Sequence, residues 1–261
     1  MFPSPAQHTF RDSLTWRIVA AIPFLIALVI AIAVYMEIPQ IEPISWSFVA
    51  FFGLLFLYAC VWAAKRRISI HAEGITYKSM TDEKDLRWDE ITETCYGQQQ
   101  VNMYAHFGLI GLLLSLMKSQ NLLRSLEIVG PRKIKITSNI RDNQEAISAV
   151  LAAVNPRLQK EAERVLGSGG TVSFGNLSLT SAGVVWKGKD PIPYSAIAKC
   201  KIDGSFLRIK AEGKWLDNVA VTVKKIPNVF VFLDMVQQRC ETFGQKAAAA
   251  IAGSSASQYL G

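Results

Sequence analysis

The chain has 261 residues, half of them apolar, and a formal net charge of +7. Its basic excess is spread out: residues 1–64 carry two Arg against three carboxylates, 65–165 carry 15 basic against 12 acidic groups, and 166–261 carry 11 against 6. Nucleic-acid binding needs basic residues clustered and interleaved with stacking aromatics, so this diffuse distribution argues against a nucleic-acid partner. The four cysteines, Cys60, Cys95, Cys200 and Cys240, contain no C-x-x-C pair, which argues against both a disulfide framework and a zinc ribbon.

Residues 1–17 read as a short N-terminal tail. Two stretches without a charged side chain follow, Ile18–Met36 and Ile44–Ala64, joined by Glu37–Pro43. Each has the length of a bilayer-crossing helix, about 20 apolar residues, and the link is too short for a domain. A transmembrane helical hairpin over 18–64 is therefore expected. A cleaved signal peptide fits less well, because the run is long and a second one follows at once; buried helices of a core rarely stay uncharged on every face. Arg11 and Arg17 before the pair, with Lys65, Arg66 and Arg67 after it, predict cytoplasmic termini by charge asymmetry. Trp16, Trp46 and Trp62 fall at helix ends, as interfacial indoles do. The localisation expected is an integral membrane protein, of the bacterial inner membrane type, with the bilayer as partner.

Past the hairpin the apolar pattern alternates. Ile68–Lys78 predicts two strands around a tight turn at Ala72-Glu73-Gly74, with glycine where the turn needs a positive φ. Leu177–Lys187 repeats that grammar without a gap around Ser181-Ala182-Gly183. Trp88 followed by Ile91 is echoed by Tyr194 and Ile197, and Ile134–Thr137 by Val219–Thr222. A helix is predicted after each last strand, over Asp142–Val154 and Pro227–Phe243, the first opened by a capping box of Asp142 and Glu145. Two copies of several antiparallel strands closed by one helix are expected, over 65–165 and 166–243. Gly167-Ser168-Gly169-Gly170 serves as linker, and 244–261 as a disordered tail.

The first copy alone carries an insertion, 98–122. Its centre, Phe107–Met117, has no charge and is too short to span a bilayer. On a helix Leu109, Leu112, Leu113 and Leu116 share one face with Phe107 near its start. This segment is expected to touch the membrane or a partner, with a helix of the first domain's core as the alternative.

Meandering strands closed by one helix resemble the pleckstrin-homology (PH) superfold, and in particular bacterial membrane proteins that carry PH-like domains behind a transmembrane hairpin, a family of largely unknown function. The resemblance covers about Ile68–Phe243 and rests on the two turns, on Trp88 and Tyr194, and on the terminal helices. It implies a membrane-anchored α+β fold with tandem PH-like domains and a binding or scaffolding role.

No residue set suggests catalysis, a cofactor or a metal. Cys95 with His106 is the only pairing that suggests a thiol nucleophile and base, and it has no accompanying signature. The acidic run Asp82, Glu83, Asp85, Asp89, Glu90, Glu93 has the spacing of a solvated strand face. Lys65, Arg66, Arg67, Arg132, Lys133, Lys135, Lys224 and Lys225 are candidate membrane-surface contacts. The function expected is non-enzymatic binding and scaffolding, with a protein partner or homo-oligomer. Two alternatives stay open: an oligomeric membrane assembly that self-associates through 107–117, and a membrane-bound enzyme.

Overall fold

The computed structural model describes residues 2, 4–12, 14–37, 42–100, 122–213 and 217–241. It divides into two compact units, 1–88 with 136–149, and 89–135 with 150–261.

The first unit holds β1 (His8–Arg11), α1 (Leu14–Glu37), α2 (Glu42–Lys65), β2 (Arg67–Ile70), β3 (Gly74–Lys78) and β4 (Glu83–Arg87). The strands form one antiparallel sheet in the order β1-β2-β3-β4. Ile70 lies opposite Ile75, and Ile75 opposite Leu86, so the alternating apolar residues stack on one buried face. β1 makes residues 8–11 of the N-terminal segment part of this sheet, with Phe10 opposite Ile68.

The hairpin helices run side by side: the rings of Phe24 and Phe56 stack at 5.9 Å between centroids, and a Cβ on Gly53 would lie 3.3 Å from the Phe24 ring. Among the described residues, however, no helix is long and apolar enough to cross a membrane. The transmembrane hairpin, the membrane-anchored fold and the integral-membrane localisation are corrected accordingly. A charge-free run in a sequence records composition only. Crossing needs a helix that is long and apolar throughout, and the described residues supply none.

The second unit contains two three-stranded sheets and one four-stranded sheet. The first is β5 (Glu93–Gln100), β6 (Leu122–Val129) and β7 (Lys133–Ile136), in that order. Residues 98–100 and 122, placed in the insertion by sequence, belong to β5 and β6 and pair there, Gln100 opposite Leu122. The four-stranded sheet is β11-β10-β9-β8, made of β8 (Val172–Phe174), β9 (Leu177–Leu179), β10 (Gly183–Trp186) and β11 (Ile192–Pro193). The third sheet is β12 (Ile197–Asp203), β13 (Phe206–Ala211) and β14 (Val219–Thr222).

Helix α3 (Asn143–Gly167) buries Ile147, Val150 and Val154, spaced three and four apart on one face. Helix α4, residues 229–241, buries Val229, Phe232, Met235 and Val236, and Phe232 meets Phe174 edge-on at 5.3 Å. Pro227 therefore precedes the helix by two residues instead of starting it.

The element order of the chain occurs twice: β2-β3-β4, a 3-10 turn, β5-β6-β7 and α3, then β9-β10-β11, a 3-10 turn, β12-β13-β14 and α4. The agreement extends to individual atoms. A Cβ on Gly74 would sit 2.3 Å from the carbonyl oxygen of Leu86, and one on Gly183 would sit 2.1 Å from that of Ile192. Glycine is required at Gly74 by this close approach of the next strand, not by the positive φ that the turn suggests. The aromatic residue that opens each 3-10 turn ties that turn to the hairpin. The Trp88 indole donates to the carbonyls of Ala72 (3.1 Å) and His71 (3.3 Å), and the Tyr194 hydroxyl donates to that of Thr180 (2.8 Å). Asp142 and Asn228, just before α3 and α4, both hold a left-handed backbone, φ 55° and 53°. The carbonyl of each accepts from the amide four residues on. Asp142 thus enters its helix through its backbone carbonyl, while its carboxylate faces Arg141 at 3.5 Å.

Candidate functional site

The basic residues singled out by sequence have different fates. Lys65 and Arg67 are exposed. Arg66 between them turns inward. Its side chain is only 11% exposed, its Nη1 lies 3.5 Å from Oδ2 of Asp12, itself 2% exposed, and its guanidinium stands 4.5 Å over the Trp62 ring. A guanidinium so paired and stacked holds β1 and the end of α2 together. It is not available as a surface contact.

Arg132, Lys133 and Lys135 are exposed around the β6–β7 turn, and Lys224 and Lys225 on the 3-10 turn after β14. Of these, Lys133 and Lys224 converge on Cys95 of β5. Burial pushes that thiol up, the carboxylates of Glu93 and Glu127 push the same way, and Lys133 and Lys224 oppose them. Lys133 also lies 3.7 Å from Glu127.

The join is made by Asn228. Its Oδ1 accepts from the Thr94 amide (2.7 Å) and hydroxyl (3.2 Å), and its Nδ2 donates to the Thr92 carbonyl (3.3 Å). Tyr96 and Phe230 pack edge-on beside it at 5.0 Å. The result is a mixed-charge surface. A thiol raised above its ordinary value is a poor nucleophile at neutral pH, since the thiolate is the reactive form.

His71 lies in the other unit. Its Nδ1 is 3.0 Å from the Ser4 carbonyl and its Nε2 is 3.3 Å from the Thr76 hydroxyl, which donates to Asp85 Oδ1 at 2.8 Å. A nucleophilic hydroxyl gives its proton to the histidine. Here the Thr76 proton is directed to Asp85, so the chain of bonds anchors the N-terminal segment to β3 and β4. Two more carboxylates of the acidic run are paired, Glu83 with Lys78 at 2.6 Å and Asp82 with Lys84 at 3.1 Å. His106 and the apolar residues Phe107, Leu109, Leu112, Leu113 and Leu116 lie outside the described residues.

Two further surfaces stand out, and the second escaped the sequence reading. On the hairpin, Leu25, Val29, Ile32 and Met36 of α1 and Phe51, Leu55, Tyr58 and Trp62 of α2 are exposed at spacings of four, three and four residues. Leu54 reaches 67% exposure. On the β12–β14 sheet, Lys199 lies opposite Lys210 and Lys201 opposite Arg208, four cations on one outer face. The alternation Lys-x-Lys and Arg-x-Lys was the available signal, and only the strand register brings the two pairs together.

The family described as "Family of unknown function (DUF6585)" matches residues 5–242. The chain belongs to DUF6585. No curated protein matches it. In this DUF6585 chain the matched region takes in both units, the hairpin, the Asn228 join and the cationic sheet face.

Proposed function

We propose that this chain is a non-enzymatic binding and scaffolding protein built on tandem PH-like domains. The observation that carries the reading is the apolar surface of the hairpin. The exposed stripes of α1 and α2 leave the large side chains of eight residues in contact with solvent, far more than a surface helix ordinarily shows. Covering such side chains contributes on the order of 1.5–3 kcal/mol each, so a partner surface is the natural complement. The PH-like reading is supported by the twofold series of strands, 3-10 turn, strands and helix, and by the matched glycine and aromatic contacts in each series.

A second reading is an assembly component that binds its own copies. It is favoured by the run of exposed apolar side chains on α2, among them Phe51, Leu54, Leu55, Leu57, Tyr58 and Val61.

A photocrosslinking amino acid at Leu54 in the full chain, activated in cells, tests both. A defined protein adduct at that position supports the scaffold. A covalent dimer of the chain selects the assembly reading. Adducts with lipid alone overturn both.

A further inference from the structure

We infer that the outer face of the β12–β14 sheet docks an extended acidic segment of a partner protein, with carboxylates at alternate positions. The register sets Lys199 directly across from Lys210 and Lys201 across from Arg208, while Cys200, Ile202, Leu207 and Ile209 turn to the inner side. Like charges facing each other across a ladder destabilise a sheet, and here two such pairs are adjacent. Lysine on an edge strand is an ordinary guard against unwanted strand pairing. That accounts for Lys199 and Lys201 on β12, but not for Arg208 and Lys210 on β13, the central strand of the three.

Among the described residues, ion pairs with these cations form at one end, and Glu212, two residues beyond Lys210, follows the other. Asp203 lies 3.7 Å from Lys201 and 3.4 Å from Arg208, and Asp217 lies 2.8 Å from Arg208. The Lys199–Lys210 pair stands at the other end of the face. Phe206, 43% exposed, continues the same face beyond Arg208, within 6.0 Å of its guanidinium.

Spacing and sign together identify the occupant. Alternate residues of a strand are about 6.6–6.8 Å apart, so the cations repeat at the interval of carboxylates on every second residue of an extended chain. Asp203 and Asp217 disfavour a uniform polyanion, and among the described residues this face carries one exposed ring, Phe206, where single-stranded nucleic acid stacks on several. An extended peptide meets the cations with its carboxylates and Phe206 with an apolar side chain. The proposal goes beyond the scaffold reading, which rests on the hairpin.

Fluorescence anisotropy on the full chain tests the proposal, with a labelled peptide of alternating Glu and Ser. Its competitors are a peptide of the same composition with all Glu contiguous, a single-stranded oligonucleotide, and vesicles of phosphatidylserine in phosphatidylcholine. The alternating peptide is expected to bind most tightly. Lys199→Glu and Lys210→Glu should each weaken it about tenfold or more, Lys199→Gln should weaken it less, and Lys160→Glu on α3 should leave it unchanged. A like-charge pair is relieved by each of these sheet variants, so their thermal melting should not fall. Equal weakening by Lys160→Glu, tighter binding of the oligonucleotide or vesicles, or no preference for alternation would overturn the proposal.

Discussion

Asn228 and Thr94, 134 residues apart, are joined by three hydrogen bonds: Oδ1 of Asn228 accepts both the amide and the hydroxyl of Thr94, and the Asn228 amide donates to the Thr94 carbonyl. Thr94 is buried, so these groups have no water to fall back on. Asparagine suits the position twice, since it also tolerates the left-handed backbone held there.

Asn228→Ala should therefore lower unfolding stability by about 2–3 kcal/mol, chiefly by leaving the buried Thr94 amide unpaired. Asn228→Asp keeps the acceptor and should lose roughly half as much. Urea denaturation followed by circular dichroism measures both, and an Asn228→Ala midpoint equal to that of the unaltered chain would contradict this account.

The two strand-starting glycines offer a sharper comparison. Gly183→Ala and Gly74→Ala each drive a methyl group into a backbone carbonyl of the next strand, and a loss of about 3 kcal/mol is expected. Gly188 has φ 70° but open space around its Cβ position. Gly188→Ala should cost only about 1 kcal/mol. Melting temperatures of the three variants should fall into these two classes.

For the inward-turned guanidinium, Arg66→Met removes a paired cation from the buried Asp12 carboxylate and should destabilise by about 3 kcal/mol. Arg67→Met, one residue on and exposed, should change stability by less than about 0.5 kcal/mol. Chemical denaturation of the pair separates a structural arginine from a surface one.

Burial pushes the Cys200 thiol up to about 12 from an ordinary value of 9.0, with Cys240 adding to the effect. Because the folded value lies above the unfolded one, Cys200 contributes stability that is complete below about pH 9 and is lost as pH rises towards 12. The slope approaches about 1.4 kcal/mol per pH unit for one such group. Cys200→Ala should flatten stability against pH between 9 and 11. In the native protein at pH 8, Cys200 should resist iodoacetamide until denaturant is added, as read by mass spectrometry.

Much of the strand order was legible because half-buried strands alternate. Ile68–Lys78 and Leu177–Lys187 fold as the paired strands their pattern predicts, and Ile134 and Val219 mark the strands that precede α3 and α4. β1 was not legible, since His8-Thr9-Phe10-Arg11 has a single apolar residue and its pairing with β2 is long-range. Lys65, Arg66 and Arg67 look alike in the sequence, and only the distant Asp12 singles out the middle one. The convergence of Lys133 and Lys224 on Cys95 depends on an asparagine that nothing local marks. The hairpin shows the opposite failure: its composition is conspicuous, yet no described helix is long and apolar enough to span a bilayer.

Trp88 and Tyr194 perform one task with different chemistry, an indole N–H in one half and a phenolic O–H in the other, each closing onto a main-chain oxygen. Main-chain oxygens are present whatever the side chain, so the latch constrains only the donor and its reach. The halves can therefore diverge widely in residue identity while preserving the same joint. Kinship between them, and among more distant homologues, is better sought by superposing donor–acceptor geometry than by comparing letters.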